Sequence, residues 1–140
     1  MKRTVLLSVR GCQTYMDQEP EVIELVTEGT FESVDGNWIL QYEESTLTGL
    51  EGVTTTFYVE ENKITLTRTG KLNSQMVFRE GVRHDSLYQV EFGALMISVC
   101  AKSILSCLDE NGGVIDLVYD IEIEQSMAGQ IDYHLEIKAK

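Results

Sequence analysis

Apolar and polar residues alternate along most of this chain with a period of two, and a helical period is nearly absent. In one segment Ile115, Leu117, Tyr119, Ile121 and Ile123 hold the odd positions, with Asp116, Asp120, Glu122 and Glu124 between them. A second segment repeats the pattern with Ile131, Tyr133, Leu135 and Ile137 against Asp132, His134, Glu136 and Lys138. Such a segment is a strand with one dry and one wet face. The alternation predicts strands over 3–14, 21–34, 37–45, 52–60, 63–70, 73–80, 84–92, a bent 95–109, 113–125 and 130–139.

Four dipeptides carry turn chemistry between these segments: Asp35-Gly36, Glu61-Asn62, Gly93-Ala94 and Asn111-Gly112. Asp-Gly and Asn-Gly suit a type I′ hairpin, in which both central residues need φ > 0. Folding at each turn sets Phe31 against Leu40, Val59 against Ile64, Phe57 against Leu66, Val90 against Ile97 and Leu108 against Ile115. It also puts Glu60 beside Lys63 on the outside, and Gly29 opposite Tyr42, whose ring can cover the missing side chain. Between Val99 and Ile104 the inward parity flips, which predicts a bulge near Lys102.

The last hairpin calls for an odd-length loop, most simply Met127-Ala128-Gly129. Ile123 then faces Tyr133 and Ile121 faces Leu135. Outside, Glu124 falls opposite Asp132 and Asp120 opposite Glu136: either a cost tolerated in solvent, or a docking face for a basic partner or a weak divalent cation site.

Consecutive hairpins with one apolar face each have few ways to hide it. A closed antiparallel up-and-down barrel of about eight to ten strands also removes the sheet edges; a two-sheet sandwich is the alternative. Residues 1–140 fit a single such domain.

The same registers place a few polar residues inside. Stepping inward from Leu66 reaches Arg68, and from Leu40 reaches Tyr42 and Glu44. A lone buried charge costs several kcal/mol, so each must be paired, solvated or used. Either Arg68 and Glu44 form an ion pair plugging one barrel mouth, joined by the Tyr42 hydroxyl, or Arg68 anchors an anionic head group. Trp38, Tyr88, Tyr119 and Tyr133 join Phe31, Phe57, Phe78 and Phe92 on the same face, a density that fits core filling better than a ligand cage. Tyr42, Glu44, Arg68, Tyr88 and Tyr119 are therefore the candidate ligand-binding residues.

Composition narrows the class of function. A net charge of −12 with no basic cluster disfavours nucleic acid and anionic membranes as partners. The start, Met1-Lys2-Arg3 followed by a short apolar run to Val9, is too brief for a signal peptide, and no stretch approaches the roughly 18 apolar residues of a membrane span. Cys12, Cys100 and Cys107 are odd in number and lack C-x-x-C spacing, which fits reduced thiols in a cytoplasmic protein and predicts no disulfide. His84 is placed in a loop after Gly81 and His134 on a charged outer face. No phosphate loop, nucleophile elbow or metal-ligand cluster is present, so neither catalysis, a cofactor nor a metal is expected.

Several stretches in order, Gln41-Tyr42-Glu43-Glu44, Leu66-Thr67-Arg68-Thr69-Gly70, Gln75-Met76-Val77-Phe78, Tyr88-Gln89-Val90-Glu91-Phe92-Gly93 and Gly113 to Tyr119, resemble the YwiB-like family of small bacterial proteins of unknown function. The resemblance implies a cytoplasmic, calycin-like (lipocalin-like) β-barrel, and no activity or ligand. It further implies that Tyr42 with Glu44, and Arg68 with Gly70, recur as family features. The expectation is a barrel that binds a small apolar or anionic molecule. The alternative is a solid-cored interaction or structural protein working through its acidic surface or as a homodimer.

Overall fold

A computed structural model describes residues 2–15, 19–44, 51–90 and 93–140. Ten strands follow one another: β1 (Arg3–Tyr15), β2 (Glu21–Val34), β3 (Asn37–Glu43), β4 (Val53–Val59), β5 (Ile64–Gly70), β6 (Ser74–Phe78), β7 (Arg83–Val90), β8 (Gly93–Asp109), β9 (Gly112–Ile123) and β10 (Ser126–Ala139). All pairings between them are antiparallel, in the order β6-β5-β4-β3-β2-β1-β10-β9-β8-β7. The result is a nearly closed barrel, with no helix among the described residues.

First and last strands are joined by a continuous ladder from Val5–Ala139 to Tyr15–Gly129. The seam lies mid-chain instead, between β6 and β7. There the backbones of Asn73 and Gln89 exchange hydrogen bonds of 2.9 and 2.8 Å, and Gly81 N–H donates to Ala101 O at 2.9 Å. At the same seam the Val77 N–H donates to His84 Nδ1 at 3.4 Å, an imidazole standing where a strand carbonyl would. His84 thus belongs to β7 rather than to a loop.

Inward residues of both halves fill the barrel. Leu7, Leu40, Phe57, Ile64, Leu66 and Leu135 have no exposed surface, and burial of such side chains contributes about 1.5–3 kcal/mol each. Phe31 stacks on Trp38 with centroids 4.9 Å apart, and Phe78 meets Tyr119 at 4.6 Å. The sequence also places Val90 and Phe92 inside; the Val90 side chain and Phe92 lie outside what is described, as does Ser45 at the end of the third expected strand.

Two hairpins form in the expected register. Asp35 and Gly36 have φ of 53° and 83°, and Phe31 pairs with Leu40. Phe57 pairs with Leu66, Val59 with Ile64, and Lys63 Nζ lies 3.6 Å from Glu60. Lys102 is the bulge: pairing with β9 slips between Ala101 and Ser103, and inward parity passes from Ala101 to Ile104.

Three hairpins differ from expectation. Gly93 and Ala94 are strand rather than turn: Gly93 pairs with Val90, and Ile97 pairs with Ser86 instead of Val90. The slip is an even number of residues, so Ile97 stays buried. In the β8–β9 hairpin Asp109 pairs with Gly112 and Leu108 with Gly113, so the loop is Glu110-Asn111. The Asp109 carboxylate accepts from Asn111 N–H at 2.8 Å and fixes it. Glycine is needed at 112 and 113 for another reason: a Cβ would lie 2.1 Å from the Ile137 carbonyl oxygen and 1.9 Å from that of Cys107.

The final hairpin turns at Glu124-Gln125, with φ of 50° and 69°. Glu124 is held there from both ends, its N–H donating to Met96 O and its carboxylate accepting from Met96 N–H, each at 2.8 Å. A bulge between Met127 and Gly129 restores the parity that an odd loop was expected to supply. Tyr133 therefore faces Leu117 and Leu135 faces Ile115, while Asp120 lies opposite Gln130, Asp132 opposite Val118 and Glu136 opposite Val114. The opposed acidic pairs do not form, which removes the basis for an acidic docking or cation-binding face.

Candidate ligand-binding site

At one mouth of the barrel the apolar filling stops short and leaves a cavity of about 240 Å³. Val9, Ile23, Leu25 and Ile131 form its apolar side, from β1, β2 and β10. Its polar side gathers Tyr42, Glu44, Arg68, Tyr88 and Tyr133, with Gln13 and Gly11 completing the lining.

The polar side is built by strand parity. Tyr42 is inward because it alternates with Leu40, and it packs over Gly29, where a Cβ would sit 3.2 Å from the Tyr42 Cβ. Glu44 follows just beyond β3 and is tied to β4 by its N–H to Val53 O at 2.9 Å. Arg68 lies on β5 opposite Thr55, and Thr55 Oγ1 donates to Glu44 Oε2 at 2.5 Å.

Arg68 Nε stands 3.9 Å from Glu44 Oε2, with side chains 11% and 2% exposed. This is a charge pair without a hydrogen bond: Arg68 Nε has no hydrogen-bond partner, nor has the hydroxyl of Ser74, its register neighbour on β6. Arg68 Nη2 instead donates to the Tyr133 hydroxyl at 3.2 Å. Since β5 and β10 are five steps apart in the sheet order, that bond crosses the lumen.

Burial alone would lower the Arg68 pKa, but the Glu44 carboxylate beside it raises it, and the guanidinium stays charged. Burial, then Tyr133 and Glu44, push the Tyr42 hydroxyl well above its ordinary value, and Tyr42 stays protonated and hydrogen-bonded to Glu44. The arrangement holds one fixed positive charge over a carboxylate in a wall of hydroxyls.

A family model described as a domain of unknown function (DUF1934) matches residues 7–137. The chain belongs to this family. The uncharacterized beta-barrel protein YwiB of Bacillus subtilis (strain 168) is 32% identical over 107 residues, 76% of this chain and 74% of that one. The crystal structure of YwiB matches with a TM-score of 0.89 and 26% identity, covering 99% of this chain and 93% of that chain. Both the antiparallel barrel of about eight to ten strands, here ten, and the YwiB resemblance read from the sequence thus hold, and the DUF1934 family carries no assigned activity.

In this DUF1934 barrel, four of the five sequence candidates (Tyr42, Glu44, Arg68 and Tyr88) line one cavity. Tyr119 does not: it is 3% exposed and packed on Phe78 in the core, though close enough to act electrostatically on Arg68. Tyr133 was read as core filling, yet its hydroxyl is the group Arg68 reaches. Both histidines lie outside the cavity lining. His134 is on the outer face between Asp116 (Nδ1 to Oδ1, 2.5 Å) and Glu136 (Nε2 to Oε1, 3.3 Å).

Proposed function

We propose that this DUF1934 protein is a cytoplasmic, lipocalin-like binding protein. The cavity at the Arg68 mouth takes one small molecule with an apolar body and an oxygen-bearing end. The observation that carries the reading is a void of about 240 Å³ beside a buried, incompletely hydrogen-bonded arginine. That volume is below the ~300–1,000 Å³ of most ligand pockets, which points to a compact ligand. Val9, Ile23, Leu25 and Ile131 suit the apolar body, and Arg68 with the Tyr133 and Tyr88 hydroxyls suits the oxygen end. The odd, unclustered cysteines support a reducing compartment.

Native mass spectrometry of the protein isolated from its own source tests the reading. A bound small molecule, lost in Arg68→Met, is the expected result. A single ligand-free mass under conditions that preserve weak complexes overturns it.

A further inference from the structure

The charge balance of the cavity narrows its ligand class, an inference that rests on the binding reading above. Arg68 is the cationic group in the lining, and Glu44 already stands against it at 3.9 Å. Glu44 is not free to swing away, because Thr55 donates to its Oε2 at 2.5 Å and its own N–H is bonded to Val53 O. The groups facing Arg68 from other strands add no second cation: Tyr42 on β3, Tyr88 on β7, Tyr119 on β9 and Tyr133 on β10. Among the described residues the polar end of the cavity is therefore neutral overall, while the guanidinium has five N–H donors, of which one on Nη2 goes to the Tyr133 hydroxyl and the one on Nε is buried against Glu44. A carboxylate entering there would put two anions beside one buried cation, a combination that burial resists unless a proton is taken up.

We infer that the cavity selects an uncharged oxygen acceptor, of the amide or ketone class, over a carboxylate, with Glu44 as the residue that sets this preference. Glu44 works by occupying the counter-ion position, so a neutral side chain of the same shape should hand that position to the ligand. Glu44→Gln keeps the shape and an oxygen acceptor for Thr55 while removing the charge.

The test is binding of hexanamide and hexanoate at pH 8, followed by side-chain NMR shifts of the cavity residues, in wild type and in Glu44→Gln. The expected wild-type result is hexanamide bound at least about tenfold more tightly than hexanoate, a difference of ~1.4 kcal/mol. In Glu44→Gln the order should reverse. Equal wild-type affinities, or a ratio unmoved by Glu44→Gln, overturn the inference while leaving the binding reading standing. Failure of both probes to bind overturns both. Should Glu44→Gln not fold, calorimetry of hexanoate with wild type in two buffers of different ionisation enthalpy decides: binding with about one proton taken up supports the inference, and binding with none overturns it.

Discussion

Arg68 on β5 donates from Nη2 to the Tyr133 hydroxyl on β10 at 3.2 Å, so one side chain braces two opposite walls of the barrel. The brace is anchored by charge, because Glu44 stands 3.9 Å from Arg68 Nε in the same buried region.

That arrangement makes the two charges interdependent. Arg68→Met alone leaves the Glu44 carboxylate buried and uncompensated, and should cost on the order of 3 kcal/mol in urea denaturation. Replacing Arg68 with Met and Glu44 with Leu together should recover most of the loss. A double variant as unstable as the single one would contradict this account.

His134 gives the protein a pH-sensitive contact on its outer face. Hydrogen bonds donated by its ring to Asp116 and then to Glu136 raise its pKa above the ordinary histidine value. Because the folded-state pKa is raised, the stabilisation is fully present below the unfolded value of about 6.5 and is lost as pH rises through the folded value. An NMR titration of the imidazole should show the raised midpoint, and Asp116→Asn should lower it. Melting temperatures of Asp116→Asn and wild type should differ most at mildly acid pH and converge at alkaline pH.

How much of this was legible depends on what each residue type is for. Asp35-Gly36 was readable because its turn requires φ > 0 at both positions, and those residues supply it. Asn111-Gly112 misled because its glycine serves close approach to the Ile137 carbonyl instead of the turn. Glu124-Gln125 has no turn signature at all; its turn is imposed by two hydrogen bonds to Met96, which lies on β8. Within the site, Tyr42, Glu44 and Arg68 were legible because parity along a strand decides which way a side chain faces. The role of Tyr133 was not, since it depends on the curvature that brings β10 across from β5, and strand alternation carries no record of curvature.

The two positive-φ glycines of β9 should be intolerant, unlike the glycine of the first hairpin. Gly113→Ala places a Cβ 1.9 Å from the Cys107 carbonyl oxygen at φ +143°, where the obstacle is backbone. It should cost more than the ~1–2 kcal/mol of a left-handed alanine by itself. Gly36→Ala, at φ +83° with nothing within 4 Å of the new Cβ, should cost about that amount only. Denaturation midpoints of the two variants give the comparison.

The three thiols should all titrate in the unreduced, denatured protein. Cys100 and Cys107 are seven residues apart on β8, about 23 Å at ~3.3 Å per residue. Cys12 on β1 is three strand spacings away around the wall, about 14 Å, with Ser103 rather than either cysteine on its row through Asp132 and Val118. Both separations exceed the Cα distance of up to about 6.8 Å that a disulfide spans. Fewer than three reactive groups would contradict this.

The ladder between β1 and β10 also sets the order of events as the chain leaves the ribosome. Every other strand pair can zip as soon as its second member emerges, but one edge of β1 must wait for the segment that ends at Ala139. Until then Val5, Leu7 and Val9 line a half-rolled sheet whose free edge can recruit a neighbour. Closure couples residues more than a hundred positions apart, the kind of contact that slows folding most. A nascent chain stalled before β10 should therefore be the aggregation-prone species of this protein, and emergence of β10 the step that rescues it.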